Sequence, residues 1–478
     1  MRYYVVELSK YAIAVLMMLY TLGAFLALGK KRNNKNTGVF VRQNVYVFVI
    51  QFLAYLSLCM QTGQIEYLFF YAFLQIALFS TVVLYQMIYP KSNRLLVNNM
   101  CLLLSVGFIM LTRLDYAKAV KQFFIVVIAL VAALLIPFFV HKLKFIKHLK
   151  WLYGAIGIAA LGAVLILGQI TQGAKITYTI AGVTLQPSEF VKIIFVFFIA
   201  SLLYKAATLK EVLISAIFAA VHVLILVLSK DLGSSIIFFM GYLFMVLIAS
   251  RNYFYLVAGF LCGGGAAVVG YRLFSHVRVR VQAFLDPFSV IDNEGYQMTQ
   301  SLFAIGNGQW FGTGLYKGTP SDIPFVESDF MFSAVAEELG GIFALCLILI
   351  CLNCFLCFLK IAMELEDVYY RLVAGGLAVM YIFQILLTVG GGIKFIPLTG
   401  VTLPLVSYGG SSVLTTLVMF AIMQGLHMIY YTEEKERERL RKLEAEDSTE
   451  CEETRKKRMG VKIKEYVENE DEEFEEWI

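Results

Sequence analysis

Charge is scarce in this chain of 478 residues: Asp, Glu, Lys and Arg together make up 16%, against 59% hydrophobic residues, and the mean hydropathy is +0.73. A soluble domain carries about a quarter charged residues, so an ordinary water-soluble globule is excluded. Eight prolines and 36 glycines are too few for a collagen-like or low-complexity chain. The five His and eight Cys form no cluster with metal-ligand spacing and no disulfide framework. Seven of the eight Cys lie in apolar runs. Cys351, Cys354 and Cys357 recur at helical spacing with only Leu, Asn and Phe between them, which reads as helix packing. A metal, if one is used, would have to be a labile divalent cation on oxygen ligands.

Long apolar runs are abundant. A membrane-spanning helix needs about twenty mostly apolar residues, and about thirteen such runs lie between Val5 and Tyr431. The expected fold is an all-α polytopic membrane protein. The first run is followed by Lys30, Lys31 and Arg32 rather than by a small-residue cleavage site, so a retained anchor is expected there. The body is basic, about +12, and the tail from Glu433 onward is about −7. The cations sit in short loops, where they set orientation, so nucleic acid is not the expected partner. With the C-terminus placed in the cytoplasm, sixteen Lys and Arg fall in inner loops, about twice the number outside. That places the N-terminus and the long 275–330 loop outside the cell. The tail opens with Glu433-Glu-Lys-Glu-Arg-Glu-Arg, a solvated helix pattern, and ends in an acidic stretch, Glu465–Ile478.

Ionisable residues at membrane depth are costly and mark function by default. One group is Gln186-Pro-Ser188-Glu189-Phe-Val-Lys192. Pro187 suits the first turn of a helix, Ser188 could cap it, and Glu189 and Lys192 can pair three residues apart. A structural ion pair at a helix entry is the plainer reading. A second group is Glu337-Glu338-Leu-Gly-Gly341, whose carboxylates must be paired or face water. A third is Lys394 with Pro397-Leu-Thr-Gly400 and Pro404-Leu-Val-Ser-Tyr-Gly-Gly-Ser411-Ser412. Such backbone cannot face lipid, and its amides at the start of the last helix could hold an anion. The 275–330 loop carries Arg278, Arg280, Asp286-Pro-Phe288, Gly295-Tyr-Gln297, Gly312-Thr-Gly314 and Ser328-Asp329-Phe330. A loop of this length without a regular pattern is a functional candidate.

In this order these stretches, with Asp231-Leu-Gly233, resemble the SEDS family of bacterial membrane proteins (the FtsW, RodA and SpoVE group). The resemblance covers about Asn98 to Tyr431. The chain departs from the family pattern at Ser229-Lys230, at Thr388 and at Phe325–Ser328. The expected organisation is three additional helices in 1–94, a ten-helix core in 95–431 and a charged cytoplasmic tail in 432–478.

The resemblance implies a peptidoglycan glycosyltransferase in the bacterial cytoplasmic membrane. Its substrates would be lipid II and undecaprenyl pyrophosphate-linked glycan, and its partner a class B penicillin-binding protein. It also implies Asp329 as the catalytic base. Arg280, Lys192 and Lys394 are then candidates for the pyrophosphate, with Glu189 orienting Lys192. Glu338, Gln297 and Ser411 are further candidates for substrate contact. An N-cap role for Asp329 competes with the catalytic reading. The resemblance fixes no cofactor and leaves a divalent cation as a candidate, with its ligands unknown. A lipid II flippase and a non-enzymatic scaffold of the division or elongation machinery are the competing classes.

Overall fold

The computed structural model describes residues 2–29, 37–142, 147–171, 174–180, 183–205, 207–292 and 295–441. Lys30, Lys31, Arg32, Lys35 and Lys144, counted above for orientation, lie outside them, as does the acidic stretch Glu465–Ile478. Three helices come first: α1 (Arg2–Leu28), α2 (Thr37–Thr62) and α3 (Glu66–Ile88). Then follow α4 (Arg94–Leu114), α5 (Tyr116–Lys142) and α6 (Lys150–Leu167). Three short antiparallel strands, β1 (Gln169–Thr171), β2 (Ala174–Ile180) and β3 (Val183–Leu185), pair in sequence order. They are an addition to the expected all-α fold.

Four helices follow the sheet: α7 (Pro187–Leu203), α8 (Leu209–Leu228), α9 (Leu232–Ser250) and α10 (Tyr253–Leu273). The 275–330 loop then contains α11 (Ser275–Leu285), α12 (Tyr296–Gly308) and a 3-10 turn at Pro320–Asp322. This corrects the expectation of an irregular loop. The chain continues with α13 (Met331–Glu338), α14 (Gly341–Glu364), α15 (Val368–Gly392) and a last helix, α16 (Gly410–Arg441). The compact body runs to Met428.

Twelve of these helices are long and apolar enough to cross a membrane. The 17-residue α7 lies at the lower end of the spanning range, about 17 residues, so the described residues hold twelve candidate spans and one borderline helix, against the expected count of about thirteen. The apolar run Met331–Ile361, one of the thirteen runs counted above as single spans, is divided. Gly340, at φ +92, turns the chain between α13 and α14. A side chain there would run into the Trp310–Gly312 backbone, so only glycine fits.

Local signals place the helix ends. Asn93 accepts the Leu96 N–H at 3.2 Å and starts α4. Asp231 accepts the Ser234 N–H at 3.0 Å and starts α9, and Asp367 caps α15 in the same way. Pro187 occupies the first turn of α7 as expected.

Helix α4 lies at the centre, with every residue from Leu95 to Thr112 buried. Asn98, Asn99 and Thr112 are matched across the interface with the first helices, while Ser105 donates to Cys101 O within α4. Tyr20 Oη donates to Asn99 Oδ1 at 3.0 Å, Asn98 Nδ2 reaches Gln43 Oε1 at 3.1 Å, and the Tyr55 and Thr112 hydroxyls lie 2.9 Å apart. Asn99 also donates to Asn353 of α14 at 2.8 Å. In hydrocarbon such groups have no water to fall back on, so this matching is what lets a helix with two adjacent Asn sit there.

Candidate functional site

Helix parity brings the start of α7, the α8–α9 turn, the 275–330 loop and the Ile393–Gly409 segment to one end of the bundle. The segment from Pro397 to Gly409 runs without regular structure between α15 and α16. It is fastened on every side, as irregular backbone at membrane depth must be. Thr388 Oγ1 donates to Val401 O at 2.8 Å, and Gln384 Nε2 to Thr402 O at 3.0 Å. Gln122 Nε2 donates to Ser407 O at 3.2 Å and its Oε1 accepts the Gly409 N–H at 2.9 Å. Gly107 of α4 faces the Val406 carbonyl so closely that a Cβ would stand 2.6 Å from it.

This segment ties two groups of ionisable residues together. The deeper group is buried in α7. Lys192 Nζ lies 2.9 Å from Glu189 Oε2 and donates to Gln384 Oε1 at 2.7 Å, and its side chain is only 3% exposed. Gln384 passes the contact on to Thr402, whose hydroxyl donates to Ser412 at 2.7 Å. The expected Glu189–Lys192 pair therefore forms, and it braces the irregular segment from below. Ser188 does not cap α7. Its hydroxyl donates to Asp231 Oδ2 at 3.0 Å.

The upper group centres on Asp329 and Arg280. Arg280 Nη1 donates to the carbonyls of Thr399, at 3.1 Å, and Leu398, at 3.4 Å. Its positive charge acts on both Asp231 and Asp329. Asp329 does not cap α13, because the N-cap is Phe330, with no side-chain bond. Its carboxylate instead faces Gly400, with Oδ2 3.5 Å from where a Cβ would stand. Burial pushes the Asp329 carboxyl up to about 6, and the nearby Glu327 charge adds to this. The Ser328 hydrogen bond and Arg280 pull the other way. Burial likewise raises Asp231, against its bonds from Ser234 and Ser188.

The 327–329 stretch is itself fixed to the irregular segment. The Tyr408 N–H donates to Glu327 O at 2.7 Å, and the Ser407 hydroxyl donates to Ser328 O at 2.5 Å. Glu327 pairs with Lys118 of α5.

The remaining candidates divide. Ser411 is committed: its hydroxyl accepts the Gln186 N–H at 2.9 Å and donates to Thr184 O at 3.4 Å. Glu338 is fully buried and turned towards Arg113 at the end of α4, 2.8 Å away. Lys394 stands at φ +57, partly exposed, with no ion pair among the described residues. Gln297 lies in the first turn of α12, partly exposed. The amides thought able to hold an anion before the last helix are partly used, since the Tyr408 and Gly409 N–H groups bond to Glu327 and Gln122.

Gln384, Asp231 and Arg113 are the residues that sequence reasoning underweighted. Gln384 and Arg113 each stand out as polar groups in apolar runs. Among the described residues no group of three or more His, Cys, Asp or Glu is placed to hold a metal ion.

A family model described as a cell cycle protein, covering FtsW, RodA and SpoVE, matches residues 93–431. A Mycobacterium bovis protein named peptidoglycan glycosyltransferase RodA is 31% identical over 363 residues, 70% of this chain and 77% of that protein. A probable peptidoglycan glycosyltransferase FtsW from Aliivibrio salmonicida is 32% identical over 300 residues, 59% of this chain and 72% of that protein. A solved chain from work on a peptidoglycan synthase complex that coordinates polymerisation and crosslinking superposes with a TM-score of 0.61 at 25% identity, covering 70% of this chain and 97% of that one. The crystal structure of Thermus thermophilus rod shape determining protein RodA gives a TM-score of 0.54 at 22% identity over 70% of this chain and 96% of that one, a likeness of fold. Residues 1–92 lie outside the family match.

Proposed function

The chain belongs to the FtsW, RodA and SpoVE family of cell cycle proteins, and on that premise we propose how its geometry builds glycan. It is a multi-pass membrane peptidoglycan glycosyltransferase, like the relatives whose names carry that activity. The donor and acceptor are lipid II and the growing undecaprenyl pyrophosphate-linked strand. The site opens at the outer face of the bacterial cytoplasmic membrane, the N-terminus lies outside and the C-terminus in the cytoplasm. The observation that carries this reading is the niche holding Asp329. A largely buried carboxylate is kept there, beside one guanidinium and against a backbone whose Leu398, Thr399, Val401 and Thr402 carbonyls are held by side chains.

Joining an α-linked donor into a β-linked strand inverts the anomeric carbon. One displacement achieves this. The acceptor hydroxyl oxygen bonds to the anomeric carbon, the bond from that carbon to the pyrophosphate oxygen breaks, and the hydroxyl proton passes to Asp329. The electron pair leaves on the pyrophosphate. A base whose carboxyl is raised to about 6 is ionised at neutral pH and better matched to accept a proton than an ordinary Asp. Arg280 stays fixed by Thr399 and Leu398 and supplies positive charge to the same niche.

Lys394 has the freedom to meet the leaving pyrophosphate. Lys192 has both of its strong contacts inside the protein, so we assign it, with Glu189, to supporting the Thr402 backbone. Gln297, at the start of α12, is a candidate for sugar contact. A class B penicillin-binding protein is the partner that would crosslink the product.

The test is polymerisation of lipid II by the purified full-length protein. Wild type should yield glycan strands, and Asp329→Ala should yield none while remaining folded. A folded wild type that moves lipid II across vesicles without making polymer would favour transport instead.

A further inference from the structure

The first three helices do more than enclose α4. Helices α1 and α3 reach the Phe311–Lys317 stretch of the long loop from its outer side. Glu7 Oε2 lies 2.8 Å from Lys317 Nζ and Glu7 Oε1 lies 2.5 Å from Lys10 Nζ. Lys10 Nζ also donates to Gly312 O at 3.4 Å. The Tyr11 and Phe311 rings stand 5.2 Å apart. From α3, the Tyr67 hydroxyl lies 3.4 Å from that of Tyr316, and the Arg113 guanidinium sits 4.2 Å over the Tyr316 ring.

The inner side of the same stretch is laced to the end of α13. The Thr313 N–H donates to Glu337 O at 2.9 Å and the Gly314 N–H to Glu338 O at 3.0 Å. Across the α13–α14 turn, the Gly341 and Ile342 N–H groups donate to Gln309 O and Trp310 O at 2.8 and 3.1 Å. Helix α13 begins two residues after Asp329. A continuous path therefore runs from α1 and α3, through Gly312–Lys317, along α13 to the niche.

We propose that α1 and α3 clamp the loop and so set the position of α13 and Asp329, which makes Glu7, Lys10 and Tyr67 positioning residues for the reaction. The proposal rests on the glycosyltransferase reading above. Each contact alone is weak, since an exposed ion pair contributes roughly 0–1 kcal/mol. Together they act on a segment already tied to α13, where a misplacement of about 1 Å can cost about 10²-fold in rate. The clamp lies in residues 1–92, outside the family match, so it is an addition to the matched core.

The experiment uses the full-length protein in vesicles with Glu7→Gln, Lys317→Gln and the double variant. Two quantities are read: the kinetics of lipid II polymerisation, and hydrogen exchange at the Gly314 and Ile342 amides. Each single variant should lower kcat about threefold with KM changed less than about twofold, a scale set by one partly exposed pair. The double variant should be no worse than Glu7→Gln alone, because Glu7→Gln already removes the contact that Lys317→Gln removes. Exchange at Gly314 and Ile342 should quicken in all three. Unchanged kcat with unchanged exchange overturns the clamp, as does an additive loss of about ninefold. A fall in kcat without faster exchange also overturns it. A wild type that makes no polymer overturns the glycosyltransferase reading, while the exchange measurement still decides whether the clamp exists.

Discussion

Replacing Asp329 with Asn should make the protein inactive and more stable, and the second effect should depend on pH. In the folded protein burial raises the Asp329 carboxyl from 3.8 to about 6. The folded state therefore binds the proton more tightly than the unfolded chain does. Its contribution to stability is full below about pH 4 and is lost as pH rises through about 6. At neutral pH, keeping Asp329 ionised in its niche costs at most about 3 kcal/mol, at 1.36 kcal/mol per unit. Partial exposure to solvent lowers that to about 1–2 kcal/mol.

Asparagine has the shape of the neutral acid and no charge to desolvate. Arg280 keeps Asp231 and the Leu398 and Thr399 carbonyls when the Asp329 charge is gone. Asp329→Asn should thus raise Tm by roughly 1–2 °C at pH 7.5 for a chain of 478 residues. The gain should shrink through pH 6 and vanish near pH 4. Polymerisation of lipid II should fall by about 10²–10⁴-fold at the same time, the contribution of a positioned base. Thermal unfolding in detergent across pH 4–8, beside the polymerisation assay, reads both. A variant that is destabilised at pH 7.5, or stabilised equally at every pH, refutes the claim that Asp329 is held against its own desolvation. A fully active variant refutes its role as base.

Wild-type kcat/KM should decline below about pH 6 as Asp329 takes up its proton, and a flat profile from pH 5 to 8 would contradict the assignment. Lys192→Met leaves the buried Glu189 carboxylate and the Gln384 oxygen without their partner, and should cost about 3–5 kcal/mol. The double variant Glu189→Gln/Lys192→Met should recover part of that in thermal unfolding, and no recovery would show that the pair is not the cause. Arg113→Ala should be as damaging, because it abandons the fully buried Glu338; Arg113→Ala with Glu338→Gln should unfold at a higher temperature than Arg113→Ala alone. Gly312→Ala forces a Cβ against the Glu338 carbonyl at φ +77 and should lower both Tm and polymerisation, whereas Gly265→Ala, in open space on α10, should change neither.

The spans were legible because apolar runs of about twenty residues have few alternative meanings. The α13–α14 break was not, although Gly340 and Gly341 lay in plain sight, because a glycine pair marks a turn only when a second backbone crowds it. That backbone, Trp310–Gly312, lies nearly thirty residues away. The small sheet escaped notice because two of its strands are three residues long. Helices α11 and α12 were masked by the turn residues around them.

Among candidate site residues, local pairs were readable and distant ones were not. Glu189 and Lys192 stand three apart on one helix face. Ser188 finds Asp231 across 43 positions, and Glu338 finds Arg113 across 225. The sequence left Glu338 either paired or facing water, and only the fold shows that Arg113 supplies the counter-charge.

The enclosure of α4 has a bearing on how the protein is made. Helices leave the ribosome in order, so α4 enters the bilayer well before α14, which carries Asn353, has been synthesised. An isolated α4 would offer Asn98, Asn99 and Thr112 to lipid. Tyr20, Gln43 and Tyr55 are already in place by then, on the two helices that lead the chain. The N-terminal helices are thus the first partners α4 meets, an intramolecular escort for a polar core helix during insertion. A chain begun at Arg94 would have to insert that helix unescorted.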